Sequence, residues 1–300
     1  MCRSAHYFSY YCGLTMLKPD FYIHNGNTVA EDYTQCRLLI EVNSNSVGYV
    51  LLNVRGMRPV AIKYFQWNPS KNISLEETLR ELVYSDEILS MADVNETFLV
   101  YNFPESNLVP EAFFDVDANK PLTDLVYGDL GKDLILNEKI PWWELHNIYR
   151  IPAGVHRLLQ QKFFNGKYWH FYSLQLKCHK MFNAKEEGQY VKVFFYSDKM
   201  IVLVCKNGQL QLIQTFEYHD AKDVAYNLLN CCHQLNMSQD GVVLELTGLI
   251  EKQSELYNEL QKYFLNVSFD HMEDSIKITD ELREYPLHYF SSLLKMAICV

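Results

Sequence analysis

From Leu38 to Trp67 the chain is a series of apolar runs broken by two small polar interruptions. LLIEV, SVGYVLLNV and PVAIKYFQW have the length and the β-branched and aromatic content of strands, and Val47, Tyr49 and Leu51 alternate as a strand requires. Asn43-Ser44-Asn45-Ser46 and Arg55-Gly56-Met57 supply tight turns, so the pattern predicts three antiparallel strands. Ser74 with Glu77 is a capping box, and Leu75, Leu79, Leu82 and Val83 follow at helical spacing. Glu96 to Asn102, ETFLVYN, reads as a fourth, buried strand, and Leu108 to Phe114 as a short helix.

Residues 122–183 read as a connecting half. Strands are predicted over Asp133 to Lys139 and Glu144 to Ile151, around Pro141-Trp142-Trp143. Pro152 opens a helix, Ala153 to Phe164, with Val155, Leu158, Leu159 and Phe163 as its apolar stripe. After Asn165-Gly166, a short strand, Lys167 to Trp169, leads into a helix from Phe171 to Phe182. Asn183 to Gln189 is polar and contains a glycine, and reads as a linker.

Then the first pattern returns. Tyr190 to Tyr196, Lys199 to Lys206 and Gln209 to Tyr218 are strands, the last two joined by the hairpin turn Asn207-Gly208. Asp220 caps a helix, Ala221 to Leu235, and Gly241 to Leu246 is again a fourth strand. A helix over about Gln253 to Phe264, a strand over Asn266 to Asp270 and a closing helix, Leu287 to Ile298, complete the chain. Gly56 and Gly208 lie 152 residues apart, and that shift lays Leu38 on Tyr190 and Trp67 on His219 without a gap. Leu99 corresponds to Leu244 after a small loop difference. The order βββαβα thus occurs twice, which predicts two tandem lobes, 22–183 and 184–300, after an extension over 1–21.

Composition narrows the class. The 300 residues are 48% apolar and 21% charged, enough for a large core and too ordered in pattern for a disordered chain. The net charge of −10 argues against a nucleic-acid binder that works by neutralising phosphates. No run is long and apolar enough for a membrane helix, and the Tyr-rich start, Met1 to Leu17, reads as an extension and not as an export signal. The 8 cysteines include no C-x-x-C, so they read as buried thiols of a cytoplasmic protein.

Candidate chemistry is thin. Asp115-Val116-Asp117-Ala118-Asn119 starts like a calcium loop, but Lys120 stands where glycine is needed and Val126 where glutamate is needed. Gly128-Asp129-Leu130-Gly131-Lys132 lacks phosphate-loop spacing. A two-metal nuclease needs carboxylates converging on one sheet; Glu41 and Glu245 fall in different lobes, which predicts locally paired or solvent-facing acids. His170 is expected to cap or pack a helix, and His156 and His170, 14 residues apart, flank separate elements. Of Trp142 and Trp143, only one can enter the same core, leaving the other as a candidate interface anchor; the Tyr7 to Tyr11 segment poses the same question.

Several segments add to the repeat: Ile151-Pro152 before a helix, Asn165-Gly166-Lys167 before His170, Glu245-Leu246-Thr247-Gly248 before a helix, and Tyr285-Pro286-Leu287-His288-Tyr289-Phe290 before a small-residue helix. In this set and in element order the chain resembles an uncharacterised family known mainly from Bacteroidetes, with a duplicated actin-like ATPase fold of two ribonuclease H-like lobes. The resemblance implies an α/β architecture and a nucleotide cleft between lobes, flanked by one phosphate hairpin from each. Active members carry an Asp and a nearby Gly in each hairpin. Here Asn43-Ser44-Asn45-Ser46 has neither, and Tyr196-Ser197-Asp198-Lys199 has the acid without the glycine. Thr247-Gly248 stands where the family's adenosine-side turn is expected.

The expectation is a non-catalytic binding or scaffolding protein with a protein partner, no cofactor, no nucleic acid and no membrane insertion. The alternative is an ATP- and Mg²⁺-binding ATPase or switch using Asn43, Asn45, Ser46, Asp198, Lys199, Thr247 and Gly248.

Overall fold

The computed structural model describes residues 17–24, 32–68, 73–90, 94–129, 131–182 and 188–300. The Tyr-rich start, including Tyr7 to Tyr11, Cys2 and Cys12, lies outside the described residues, as does most of the linker, 183–187.

The chain runs β1 (Phe21–His24), β2 (Cys36–Val42), β3 (Ser46–Asn53), β4 (Arg58–Gln66), α1 (Leu75–Ser85) and β5 (Glu96–Tyr101). Then come β6 (Ser106–Pro110), α2 (Asn119–Tyr127), β7 (Asp133–Ile140), β8 (Leu145–Pro152), α3 (Ala153–Lys162), β9 (Lys167–His170) and α4 (Phe171–Phe182). The remainder is β10 (Gln189–Phe195), β11 (Lys199–Lys206), β12 (Gln209–Glu217), α5 (Ala221–Gln234), β13 (Val242–Gly248), α6 (Glu255–Leu260), β14 (Asn266–Phe269), α7 (Asp280–Arg283) and α8 (Ser291–Cys299).

These strands build a six-stranded sheet, β1-β4-β3-β2-β5-β9, a five-stranded sheet, β12-β11-β10-β13-β14, and a small third sheet, β6-β8-β7. In each large sheet a three-strand meander is followed by a helix and a strand parallel to the first, β5 on β2 and β13 on β10. The third sheet and α2 sit in the sequence between β5 and α3, where the chain leaves the first sheet and returns to it.

Both faces of the large sheets are covered, which is why their central strands are apolar at nearly every position. In the first sheet Leu38, Ile40, Val42, Tyr49 and Leu51 pack under α1 and α3. In the second, Val191, Val193, Phe195, Val202 and Val204 pack under α5 and α6. The opposite faces, with Leu39, Val50 and Ile62 from one sheet and Phe194, Ile201 and Leu203 from the other, join α4 and α8 in one continuous core.

The Ser74–Glu77 capping box forms as expected, and Asp220 caps α5. Four expectations are corrected. Residues 106–110 form the edge strand β6, with only Glu111–Phe113 turning as a short 3-10 helix. Pairing with β8 overrides the local pattern, and Pro110 is tolerated because it ends an edge strand. The closing helix is split: Leu287–Tyr289 is a 3-10 turn after Pro286, and α8 starts at Ser291. The helix over 253–264 contracts to α6, and Phe21 already belongs to β1, paired with Tyr64 of β4.

A further correction concerns the repeat. The β2–β3 and β10–β11 hairpins superpose with Val42 on Phe195, a shift of 153, and each later bulges at the equivalent position, after Leu51 and after Val204. After the second turn the shift becomes 151, so that Trp67 corresponds to Tyr218. The β3–β4 connection is longer by two residues, which a gapless shift averages to 152. Leu38 therefore corresponds to Val191, not Tyr190, and Leu99 to Leu246, not Leu244. A one-residue slip exchanges the two faces of a strand, and Tyr190 does lie on the opposite face, in the shared core.

Candidate functional site

The turns after β2 and β10 meet across the cleft between the two large sheets. Asn45 Nδ2 donates to Asp198 Oδ2 at 2.8 Å. Behind this contact lies a buried polar knot. Tyr196 donates its phenol to Glu41 Oε1 at 2.5 Å. Asn102 Nδ2 donates to the same oxygen at 2.7 Å and to the Tyr196 hydroxyl at 2.8 Å. Asn43 Nδ2 also donates to Glu41, at 3.2 Å. From the second sheet, Lys199 Nζ donates to Asn102 O at 2.9 Å and to Asn102 Oδ1 at 3.1 Å.

The knot satisfies groups that burial penalises. Glu41, Asn43, Asn102 and Lys199 are all buried. Burial pulls the Lys199 ammonium down to about 8, against the opposing pull of Glu41 and Asp198. Burial, reinforced by Glu41, holds the Tyr196 phenol well above its ordinary value. The Lys199 ammonium also lies 5.3 Å from the centre of the Tyr196 ring.

The seven sequence-predicted residues thus divide. Asn43, Asn45, Asp198 and Lys199 come together, and each makes a side-chain bond to a protein partner across or within the cleft, although Asn43 Oδ1 is buried without one. Ser46 is buried at the start of β3, its carbonyl accepting from Asn43 N at 2.9 Å. Thr247 Oγ1 donates to His288 O at 2.9 Å and lies 2.9 Å from Ser291 Oγ. Gly248 has φ of +84°, and a Cβ there would stand 2.3 Å from Phe195 O, so only glycine fits that approach of β13 to β10.

Asn102 was not singled out from sequence. Its signal is position: it follows β5 directly and its N–H continues the pairing to Val42 O at 2.9 Å. Beside the knot, a pocket of about 50 Å³ remains, lined by Tyr64, Tyr196, Thr247, Gly248, Phe290 and neighbours. Ligand pockets for small molecules run to roughly 300–1,000 Å³, several times this space.

The second sheet meets the expectation of locally paired acids through the first of its two forms. Glu245 is not solvent-facing, and Asp270, just after β14, converges on it. Lys192 Nζ lies 2.8 Å from both Glu245 Oε1 and Asp270 Oδ2, and Lys295 Nζ donates to Asp270 Oδ1 at 2.7 Å. His271 approaches the same carboxylates from the exposed side. Burial lifts Asp270, but the two ammoniums prevail and hold it at about 2. Two lysines occupy the space a metal pair would need, so the arrangement is a neutralised structural cluster.

His170 is fully buried; its Nδ1 accepts from Tyr172 N at 3.2 Å at the start of α4, and its Nε2 lies 3.0 Å from Phe103 O. His156 Nδ1 meets the Tyr101 hydroxyl at 2.7 Å. Trp142 is exposed, while Trp143 Nε1 donates to Leu176 O at 3.0 Å. Away from the knot, a groove of about 610 Å³ separates the edge strand β6 from the edge strand β12; Leu108, Val109, Tyr127, Tyr172, Ile213 and Thr215 are among its lining residues. Its lining carries no carboxylate or ammonium, and the Tyr172 hydroxyl reaches Thr215 Oγ1 at 2.7 Å. No described helix is long and apolar enough to cross a membrane.

Comparison with known proteins follows this geometry. A family model described as a protein of unknown function, DUF3822, matches residues 26–267. No curated protein matches the sequence. A Bacteroides thetaiotaomicron protein with an actin-like ATPase fold and unknown function is similar, with a TM-score of 0.70 and 17% identity, over 87% of this chain and 96% of that one. The PilM-PilN type IV pilus biogenesis complex contains a chain with a TM-score of 0.56 and 10% identity, over 88% of this chain and 96% of that one. The fold is that of the actin-like ATPases.

Proposed function

The chain belongs to the DUF3822 family of unknown function, and from that premise we propose that it is a non-catalytic scaffold or binding protein with a degenerate actin-like fold. One observation carries this reading: the two turns that would cradle phosphates are bonded to each other. Tyr196 and Lys199 of one sheet fill the cleft against Glu41 and Asn102 of the other. A triphosphate there would have to break those bonds and leave a buried carboxylate and a buried ammonium without partners, a cost of several kcal/mol.

Two further points support the reading. The matching strand orders favour treating 22–183 and 184–300 as copies of one unit that keeps its frame and has lost its loops. The similar PilM chain is found in a complex with PilN, which makes a protein partner the natural role for such a frame. The six described cysteines, all buried, suit the cytoplasm.

Calorimetric titration with ATP and Mg²⁺, alongside a phosphate-release assay, tests the non-catalytic half. No heat of binding and no release are expected; micromolar affinity or turnover would favour the nucleotide switch. The binding half is tested by affinity purification of the tagged protein from its host under native conditions. A stoichiometric partner is expected, and a chain that elutes alone counts against it.

A further inference from the structure

Three sulfur atoms meet on the seam between α4 and α8. Cys178 and Met181 stand one helical turn apart on α4, and Cys299 faces them from α8. The Cys299 thiol donates to Met181 Sδ at 3.5 Å, and Cys178 lies near enough to Cys299 for that thiol to push its own upward. The seam is fixed by another bond one turn earlier, from Gln175 Nε2 to Ser292 Oγ at 2.8 Å. Both cysteines are buried, whereas Met181 is 59% exposed, so the cluster has a mouth.

A metal–sulfur bond of about 2.3 Å places the sulfurs of a trigonal centre about 4 Å apart. The Cys299–Met181 spacing of 3.5 Å is close to that. Two thiolates and a thioether are soft donors, which disfavour magnesium and calcium, and a three-coordinate set that includes a thioether suits copper(I) better than tetrahedral zinc. We infer that Cys178, Cys299 and Met181 form a binding site for one copper(I) ion.

Loading is balanced in charge. One Cu⁺ replaces two thiol protons, giving a bis-thiolate centre of net charge −1 with the thioether as third ligand, and two protons leave to solvent. Copper stays in its +1 state throughout. Lys192 and Lys295 lie close enough to favour the anionic form of these sulfurs, against the burial that otherwise keeps Cys178 protonated.

The experiment is an anaerobic copper(I) titration of the full chain against a chromogenic copper(I) chelator. The wild type should withhold one equivalent more than the Cys178→Ser/Cys299→Ser double variant. Because serine in a core can disturb folding, Met181→Leu provides a mild control at an exposed position and should weaken retention at least tenfold. Cys231→Ser, on α5, should change nothing. X-ray absorption of the loaded protein should show sulfur-only coordination near 2.3 Å. Equal copper release by wild type, the double variant and Met181→Leu overturns the inference, as does a coordination shell of nitrogen or oxygen.

Discussion

The Tyr196 hydroxyl lies 2.5 Å from Glu41 Oε1, and the two residues belong to different sheets. A hydrogen bond to a charged, buried acceptor contributes about 1.5–3 kcal/mol. Tyr196→Phe keeps the ring and removes only the donor, so it should destabilise the protein by about 2 kcal/mol. Urea unfolding checks this; an unchanged midpoint would show that Asn43 and Asn102 alone satisfy the carboxylate.

Lys199 makes a prediction of unusual sign. Its folded value, about 8, lies below the ordinary 10.5, so between those values the unfolded chain holds a proton that the native protein has released. Its contribution therefore makes stability rise with pH from about 8 to 10.5, by at most about 1.4 kcal/mol per pH unit. The difference in stability between wild type and Lys199→Met, followed by denaturant titration across that window, should climb. A flat difference would mean that the ammonium is solvated in the native state.

At the acid end the slope has the same sign. His170, held at about 3 by burial, takes up no proton in the native state as pH falls from 6.5, while the unfolded chain does. Asp270, held at about 2, adds its loss only below its ordinary 3.8. His170 and His179, the latter held at about 4, therefore make stability fall as pH drops below 6.5, against the opposing contribution of Glu138, which burial raises to about 7, and Asp270 adds a further loss below 3.8. The difference in stability between wild type and His170→Gln should fall as pH drops below 6.5, as differential scanning calorimetry can show.

Gly248→Ala places a Cβ 2.3 Å from Phe195 O in a left-handed backbone conformation. Backbone cannot yield as a flexible side chain can, and the αL penalty adds about 1–2 kcal/mol. The variant should lose several kcal/mol or fail to fold. Gly208→Ala, also at positive φ but with open space around its Cβ position, should cost only about 1 kcal/mol, so comparing the two melts separates contact from backbone strain.

The two meanders were legible because their strands are long, their turns are marked by Asn, Ser and Gly, and Ser74 and Asp220 announce the helices. Register was not. Leu38 and Leu39, like Tyr190 and Val191, are all apolar because both faces of each sheet are covered, so nothing in residue type distinguishes one face from the other. β6 was misread because SNLVP has too few residues to show a period, and its pairing partner lies about forty residues away in β8. In the site, the loss of the Asp and Gly signals was visible, as was the bulk of Tyr196. That Asn102 and Lys199 would bond across the cleft was not, because such partners are fixed by the packing of two sheets and not by spacing along the chain. Asp270 escaped notice for the same reason: it acquires its meaning only beside Lys192 and Lys295.

The faces of the two large sheets that look toward each other share α4 and α8 within one apolar mass. Nothing in that mass resembles a bearing surface on which one half could turn against the other; sliding the halves apart would expose Leu39, Ile62, Phe194 and Leu203 together. A scaffold of this build would present partners with its outer faces, because parting the halves wets that seam.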